Sequence, residues 1–135
     1  PKLATVIHLA EEDVRKAQLL YWFGVMIANT DMHFGNLSFM MGDKACLAPA
    51  YDMLPMKYAP LAGGEVQQAE LLDPNRFTLP YSQRSQLASI WNKARQAALV
   101  FWRTAASDPR ITLGFREICQ GNLAVIEAVP PLVGR

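Results

Sequence analysis

A long amphipathic segment in the second half of the chain constrains the fold more than any other feature. Its apolar residues recur at alternating spacings of four and three, the period of a buried helix face, at Leu87, Trp91, Ala94, Ala98, Phe101 and Ala105. Such a helix must lay this face on other apolar elements, and Ser82 is the residue expected to cap its start. The sequence therefore predicts a helical core in which Trp91 and Trp102 are buried.

Residues 11–28 predict a second buried helix that ends in a polar loop. The segment opens with three acidic residues, which suit the positive end of a helix dipole, and is then apolar almost all round. The apolar pattern stops at Asn29, a residue type that favours turns, and the loop continues to Asn36. We therefore expect the polar residues of the loop to lie at a helix end.

A β-hairpin is predicted directly after this loop. Residues 37–41 and 45–48 are short apolar runs on either side of a turn at residues 42–44, in which Asp43 is read as a turn residue without a catalytic task. Because the two strands have similar lengths, the hairpin should return Tyr51 and Asp52 to the neighbourhood of the loop.

The rest of the chain predicts a covering loop and a last helix. Residues 55–80 are irregular, with a possible short helix at 65–72, and residues 57–80 are expected to contribute to a substrate-side surface. Asp108-Pro109 predicts the N-cap and first turn of a helix that is interrupted near Gly121 and resumes to Val129. The predicted fold class is mainly α (α+β), with residues 1–135 in a single domain.

Composition limits the classes of protein that this chain can represent. Hydrophobic residues make up 51% of 135, enough for a sizeable core, and no uncharged stretch is long enough to span a bilayer. Cys46 and Cys119 lie far apart, so reduced thiols and a cytoplasmic location are expected. The chain begins with Pro1, which predicts a piece of a longer protein.

The charge distribution leaves a binding function open. Residues 74–107 carry five basic residues and no acidic one, at Arg76, Arg84, Lys93, Arg95 and Arg103. Such a stretch can contact nucleic acid or an acidic partner, although charges of this kind usually form a solvated helix face.

The polar loop and the end of the hairpin together carry the residues of a phosphoryl-transfer site. Asp31, Asn36 and Asp52 offer two carboxylates and an amide oxygen, the hard oxygen ligands that Mg²⁺ prefers. An aspartate five residues before a metal-binding asparagine can reach the acceptor hydroxyl while the asparagine holds the metal. His33, in the same loop, is expected to form structural hydrogen bonds because Asp31 already fills the role of base.

These residues lie in two motifs that resemble a known family. N-T-D-M-H-F-G-N at residues 29–36 and L-A-P-A-Y-D-M-L at residues 47–54 resemble the catalytic loop and metal-binding motif of HipA-like serine/threonine kinases, in particular the YjjJ branch. The resemblance implies that Asp31 is the catalytic base, that Asn36 and Asp52 are Mg²⁺ ligands which also hold ATP through the metal, and that His33 shapes the loop.

The resemblance also implies a fold and partners. It implies the helical C-terminal lobe of a protein-kinase-like fold, in which the hairpin carries the metal site, and a toxin of a toxin-antitoxin module that uses ATP and Mg²⁺. A protein substrate and a DNA-binding antitoxin, or a fused DNA-binding domain, are the implied partners. The chain departs from eukaryotic protein kinases because Asp52 is followed by Met53-Leu54 rather than Phe-Gly, and because no His-Arg precedes Asp31.

Two other functions fit the same residues. A small-molecule kinase acting on an aminoglycoside or a sugar would use Asp31, Asn36 and Asp52 identically. A non-catalytic helical module would instead bind DNA or an acidic partner through residues 74–107, with the polar loop serving only as a turn.

Half of a kinase nucleotide pocket is missing from the sequence. A kinase of this type needs a strand-borne lysine for the phosphates and a backbone loop to cover them. Apart from two basic residues in the first predicted helix, only Lys2 precedes the polar loop, and no glycine-rich phosphate motif occurs. We therefore expect the N-terminal nucleotide-binding lobe to be absent from this chain.

The isolated chain should consequently fold without binding ATP tightly or transferring phosphate. Titration of Mg²⁺-ATP into the chain by calorimetry should show no binding in the micromolar range. Micromolar affinity or measurable autophosphorylation would contradict the prediction.

Overall fold

The computed structural model describes residues 9–64 and 70–133. These residues form three α-helices and one antiparallel hairpin: α1 (Glu11–Met26), β1 (Phe39–Met41), β2 (Ala45–Leu47), α2 (Tyr81–Ser107) and α3 (Leu113–Ala128). Short 3₁₀ turns cover Phe34–Asn36, Met56–Tyr58 and Pro74–Phe77. The described part of the chain is mainly helical with one small sheet, as predicted, and none of its helices combines the length and hydrophobicity needed to span a bilayer.

The long helix α2 lies at the centre of the fold and packs against both α1 and α3. All six of its predicted core positions are buried or partly buried, which confirms the amphipathic pattern. The predicted cap at Ser82 is wrong, because α2 begins at Tyr81 with Pro80 in the capping position and no side-chain cap. The proline ring holds φ at −54°, a value that already suits helix entry.

Two tryptophans of α2 connect the core to the segments around it. Trp91 and Trp102 are 1% and 0% exposed, as predicted for core residues. A buried indole N–H requires an acceptor. The Trp91 Nε1–H donates to the Phe77 carbonyl oxygen at 3.0 Å, and the Trp102 Nε1–H donates to the Met26 carbonyl oxygen at 2.9 Å. The second bond fixes the last turn of α1 on the middle of the fold.

The start of α3 differs from the prediction. Thr112, not Asp108, caps this helix, by accepting a hydrogen bond from the Phe115 N–H. Asp108 instead accepts from the Arg110 N–H at 2.9 Å and pairs with its guanidinium, and these bonds lower the pKa of Asp108 to about 2. The predicted interruption near Gly121 is also wrong, because α3 continues unbroken to Ala128.

The basic stretch 74–107 does not present five free cations. Arg95 is buried, and its guanidinium donates to the Val129 carbonyl at 2.8 Å and the Glu127 carbonyl at 3.4 Å. It thereby satisfies carbonyl groups at the end of α3, where a cation is also favoured by the helix dipole. Arg103 pairs with the Glu127 carboxylate at 3.4 Å. Contact with nucleic acid through this stretch stays a prediction that rests on four exposed cations, one of which, Arg103, is already paired.

A buried amide attaches the irregular segment before α2 to α3. Asn122 is 0% exposed; its Oδ1 accepts from the Leu72 N–H at 2.9 Å and its Nδ2 donates to the Tyr58 hydroxyl at 2.8 Å. The short helix predicted at 65–72 falls partly outside the described residues, and residues 70–72 are not helical. Side-chain bonds therefore hold this segment to α3, in addition to the two short 3₁₀ turns within it.

Replacing Asn122 by alanine should destabilise the fold strongly. The change leaves the Leu72 N–H buried without an acceptor, so the free energy of unfolding should fall by roughly 3 kcal/mol. The exposed Asn75 provides the control, since Asn75→Ala should shift stability by no more than about 0.5 kcal/mol. Urea unfolding followed by tryptophan fluorescence measures both, and equal stability of the two variants would count against the network.

Candidate active site

The end of α1 determines where the polar loop begins. The Ala28 N–H donates to the Val25 carbonyl at 3.2 Å, and the Asn29 N–H donates to the Gly24 carbonyl at 2.9 Å. This is the Schellman arrangement, in which the residue after the helix is left-handed, and Ala28 has φ 61°. Because alanine occupies a position that glycine usually fills, the sequence carries no cue to this sharp exit.

Gly24 also lets the loop lie directly on α1. A β-carbon at this position would overlap the sulfur of Met32. The Met32 side chain therefore occupies the space that a side chain at position 24 would need. The close approach places Met32 against the helix, while Thr30 and Asp31 stay exposed.

Asn29 joins the two segments that carry the predicted base and the second predicted metal ligand. The residue is 5% exposed. Its Oδ1 accepts from the Asp31 N–H at 3.1 Å, and its Nδ2 donates to the Asp52 carbonyl oxygen, also at 3.1 Å. One buried amide therefore contacts the main chain on both sides of the site, across 23 residues of sequence.

His33 closes the second half of the loop. Its Nδ1 accepts from the Gly35 N–H at 3.0 Å, and its own N–H donates to Asn36 Oδ1 at 3.2 Å, which together form a capping box around the 3₁₀ turn. A β-carbon at Gly35 would lie 2.8 Å from the imidazole ring, so this glycine is required for the cap. This geometry suits the loop-shaping role predicted for His33, which stays a prediction.

The hairpin returns the chain to the loop. Its strands pair Phe39 with Leu47 and Met41 with Ala45, which confirms the predicted reversal. At the far end, the Tyr51 hydroxyl donates to the Gly35 carbonyl at 2.6 Å. Because this bond uses the only phenol hydrogen, the Ser38 hydroxyl is the donor in its 3.0 Å contact with Tyr51.

The predicted site residues are accessible. The side chains of Asp31 and Asp52 are exposed and that of Asn36 is partly exposed. Asp52 has φ 60°, a left-handed conformation that aspartate tolerates better than most residues. No group of three His, Cys, Asp or Glu side chains capable of holding a metal occurs in the described part of the chain. The predicted metal site, which includes an amide oxygen, stays a prediction.

Two cavities flank the loop. One, of about 250 Å³, is mostly apolar and lies between α1, the loop and the chain after β2, with Leu20, Met32 and Pro49 in its wall. The other, of about 570 Å³, lies on the side of Asn29 and is more polar, with Lys57 and other charged residues of the segment before α2 in its wall. The predicted site therefore lies next to space large enough for part of a ligand on either side.

The sequence did not predict the hydrogen bond between the Asn29 side chain and the Asp52 carbonyl. Its pattern indicated a turn residue at position 29, because asparagine is common at helix ends for local reasons. The contact with Asp52 is long-range and has no periodicity or spacing that a sequence could display. Only the N-T-D pattern of the motif, read together with Tyr51-Asp52, offered a sign that residue 29 belongs to the site.

The described residues form a mainly helical domain in which α1 ends in a polar loop. The hairpin then brings a second aspartate, Asp52, back to that loop. The profile of the family described as "HipA-like C-terminal domain" matches residues 2–117. The chain belongs to this family, and the resemblance drawn from its two motifs is confirmed.

A curated relative supports the same branch of the family. The chain is 38% identical over 128 residues to "Toxin YjjJ" of Escherichia coli (strain K12), a match that covers 94% of this chain and 27% of that protein. The chain thus spans about a quarter of the length of this relative. No solved structure matches this chain significantly.

Loss of the Tyr51 hydroxyl should loosen the loop. Tyr51→Phe removes the bond to the Gly35 carbonyl, so the free energy of unfolding should fall by about 1 kcal/mol. Tyr81 is the matched control, because its exposed hydroxyl makes no hydrogen bond within the described residues and Tyr81→Phe should be neutral. Urea unfolding, with hydrogen exchange of residues 33–38, checks the prediction; unchanged exchange in Tyr51→Phe would refute it.

Proposed function

We propose that this chain supplies the base and the metal ligands of a HipA-like serine/threonine protein kinase that uses ATP and Mg²⁺ in the full-length protein. The observation that carries the proposal is the pair of hydrogen bonds of the Asn29 side chain, which accepts from the Asp31 N–H and donates to the Asp52 carbonyl. The second of these bonds joins the segment of the proposed base to the segment of the proposed metal ligand. A polar loop that served only as a turn has no need of the long-range bond.

The residues present suit Mg²⁺. Asn36 and Asp52 offer oxygen donors, and both are at least partly exposed. Asn36 Oδ1 already accepts one hydrogen bond, from the His33 N–H, but an amide oxygen has a second lone pair for a metal. Asn36 and Asp52 would hold the ion together with the phosphates of ATP. When bound, Mg²⁺ neutralises charge that develops on the phosphates.

Asp31 is proposed as the base that takes the proton of the acceptor hydroxyl. Its carboxylate is exposed, while its N–H is held by Asn29 Oδ1, so the side chain is free to meet a substrate and the backbone is fixed. In phosphoryl transfer the protein mostly positions groups and offsets charge. A fixed backbone at the base therefore contributes directly to the geometry of the reaction.

The polar cavity beside Asn29 is the proposed place for the protein substrate. It lies next to Thr30 and is lined by Lys57, Asp73 and Arg76, which belong to the segment expected to face the substrate.

The printed name of the E. coli relative is "Toxin YjjJ". We therefore propose a toxin kinase whose partner is a DNA-binding antitoxin or a fused DNA-binding domain.

Replacing Asp31 by asparagine in the full-length protein should reduce the rate of phosphate transfer by about 100-fold or more, the contribution of a general base. Asp43→Asn is the matched control: it makes the same chemical change in the exposed hairpin turn and should leave the rate unaltered. Transfer of labelled phosphate from ATP, under single-turnover conditions, measures both variants.

Asp52→Asn tests the metal ligand in the same assay. It should weaken Mg²⁺-dependent ATP binding as well as transfer, whereas Asp31→Asn should spare binding. Wild-type transfer by Asp31→Asn would exclude the proposed base, and Mg²⁺-ATP binding that is unaltered in Asp52→Asn would exclude the proposed ligand.

A further inference from the structure

We infer that Asn29 is a positioning residue that sets the separation between Asp31 and Asp52. The inference rests on the proposed function, because it names what holds the proposed base and metal ligand in place. The Asn29 amide makes two bonds of 3.1 Å to main-chain atoms, the Asp31 N–H and the Asp52 carbonyl, and its Nδ2 also has a weak 4.0 Å contact with the Met53 sulfur. Asn29 therefore acts on the backbones that carry the two carboxylates, without contacting either carboxylate.

An amide fulfils both contacts, which a carboxylate on a side chain of the same length does not. Asparagine offers an acceptor and a donor at the end of one short side chain, whereas aspartate in its ionised form offers acceptors alone. In Asn29→Asp, a carboxylate oxygen would face the Asp52 carbonyl without an intervening proton. Since residue 29 is 5% exposed, water has little access with which to repair the lost bond.

Main-chain hydrogen bonds hold the backbone of Asn29 and of the residue before it. The Asn29 N–H is bonded to the Gly24 carbonyl at 2.9 Å, and the Ala28 carbonyl accepts from the Lys57 N–H at 3.0 Å. Ala28 and Asp52 both have left-handed φ, which alanine adopts only where neighbouring contacts determine it and which aspartate tolerates better. The bond from Asn29 is one such contact at Asp52.

Asn92 provides a matched control elsewhere in the fold. Its Nδ2 donates to the Leu132 carbonyl and its Oδ1 accepts from the Leu132 N–H, each at 2.8 Å. It joins α2 to the end of the chain, again through main-chain atoms. Asn92→Asp removes the same kind of contact without touching the loop, so it reports loss of stability alone.

The test measures Mn²⁺ binding to the full-length protein by electron paramagnetic resonance, beside phosphate transfer and thermal stability. Asn29→Asp should weaken Mn²⁺ binding about 10- to 100-fold, the usual effect of losing a group that orients a metal ligand. It should also raise the Mg²⁺ concentration needed for half-maximal transfer. Asn92→Asp should lose a similar amount of stability and keep wild-type affinity for Mn²⁺.

Asn29→Ser separates the two halves of the contact. A serine hydroxyl can still accept from the N–H two residues on, so the turn at Asp31 should persist, but the side chain is too short to reach the Asp52 carbonyl. This variant should keep the wild-type fold and should bind Mn²⁺ more weakly than the wild-type protein does. Wild-type affinity in Asn29→Ser, or equal losses in Asn29→Asp and Asn92→Asp, would overturn the inference.

Failure of the inference is distinguishable from failure of the proposed function. If the wild-type protein binds Mn²⁺ through Asp52 but transfers no phosphate, the proposed function fails and weaker binding by the Asn29 variants still supports the inference. If the wild-type protein transfers phosphate and the Asn29 variants match it, the inference fails and the proposed function stands. Absence of Mn²⁺ binding in the wild-type protein overturns both.

Discussion

The hydrogen bond from the Trp102 indole to the Met26 carbonyl fixes how the end of α1 packs against α2, and the position of the polar loop depends on it. Both groups are buried, so separating them would leave a donor and an acceptor unpaired in the core. Met26 is the last residue of α1, and the Schellman turn begins immediately after it. The direction in which the polar loop leaves the helix is thus determined where α1 enters the hydrophobic core, by a turn to which only the first loop residue, Asn29, contributes a bond.

From that point the loop is shaped mainly by side chains that bond to main-chain groups. Asn29, His33, Asn36 and Tyr51 each contact a backbone N–H or carbonyl. Such bonds satisfy peptide groups that no helix or strand covers, and they do so in a segment with little regular structure. The carboxylates of Asp31 and Asp52 take no part in these bonds and stay exposed.

Periodicity and local turn chemistry predicted much of the fold, and the failures have physical causes. The inner face of α2 follows from its spacing, and the hairpin follows from two apolar runs around a turn. Asp108 was mistaken for a helix cap because the same carboxylate geometry serves an N-cap and a turn, and only the position of Thr112 decides between them. Arg95 and Asn29 were misjudged because their partners lie far away in the sequence, where local patterns carry no information.

Because the Asn29 amide bonds to the main chains of Asp31 and Asp52 and not to their carboxylates, the shape of the loop and its proposed chemistry reside in different side chains. The side chain at position 31 can therefore change while the amide bridge, which depends on peptide groups, remains intact. Position 52 also requires a residue that tolerates a left-handed φ, such as asparagine or glycine. A relative with such a change is expected to keep the same loop. Likeness of backbone is therefore no guide to whether such a relative carries the proposed base and metal ligand, and the side chains at positions 31 and 52 must be read individually.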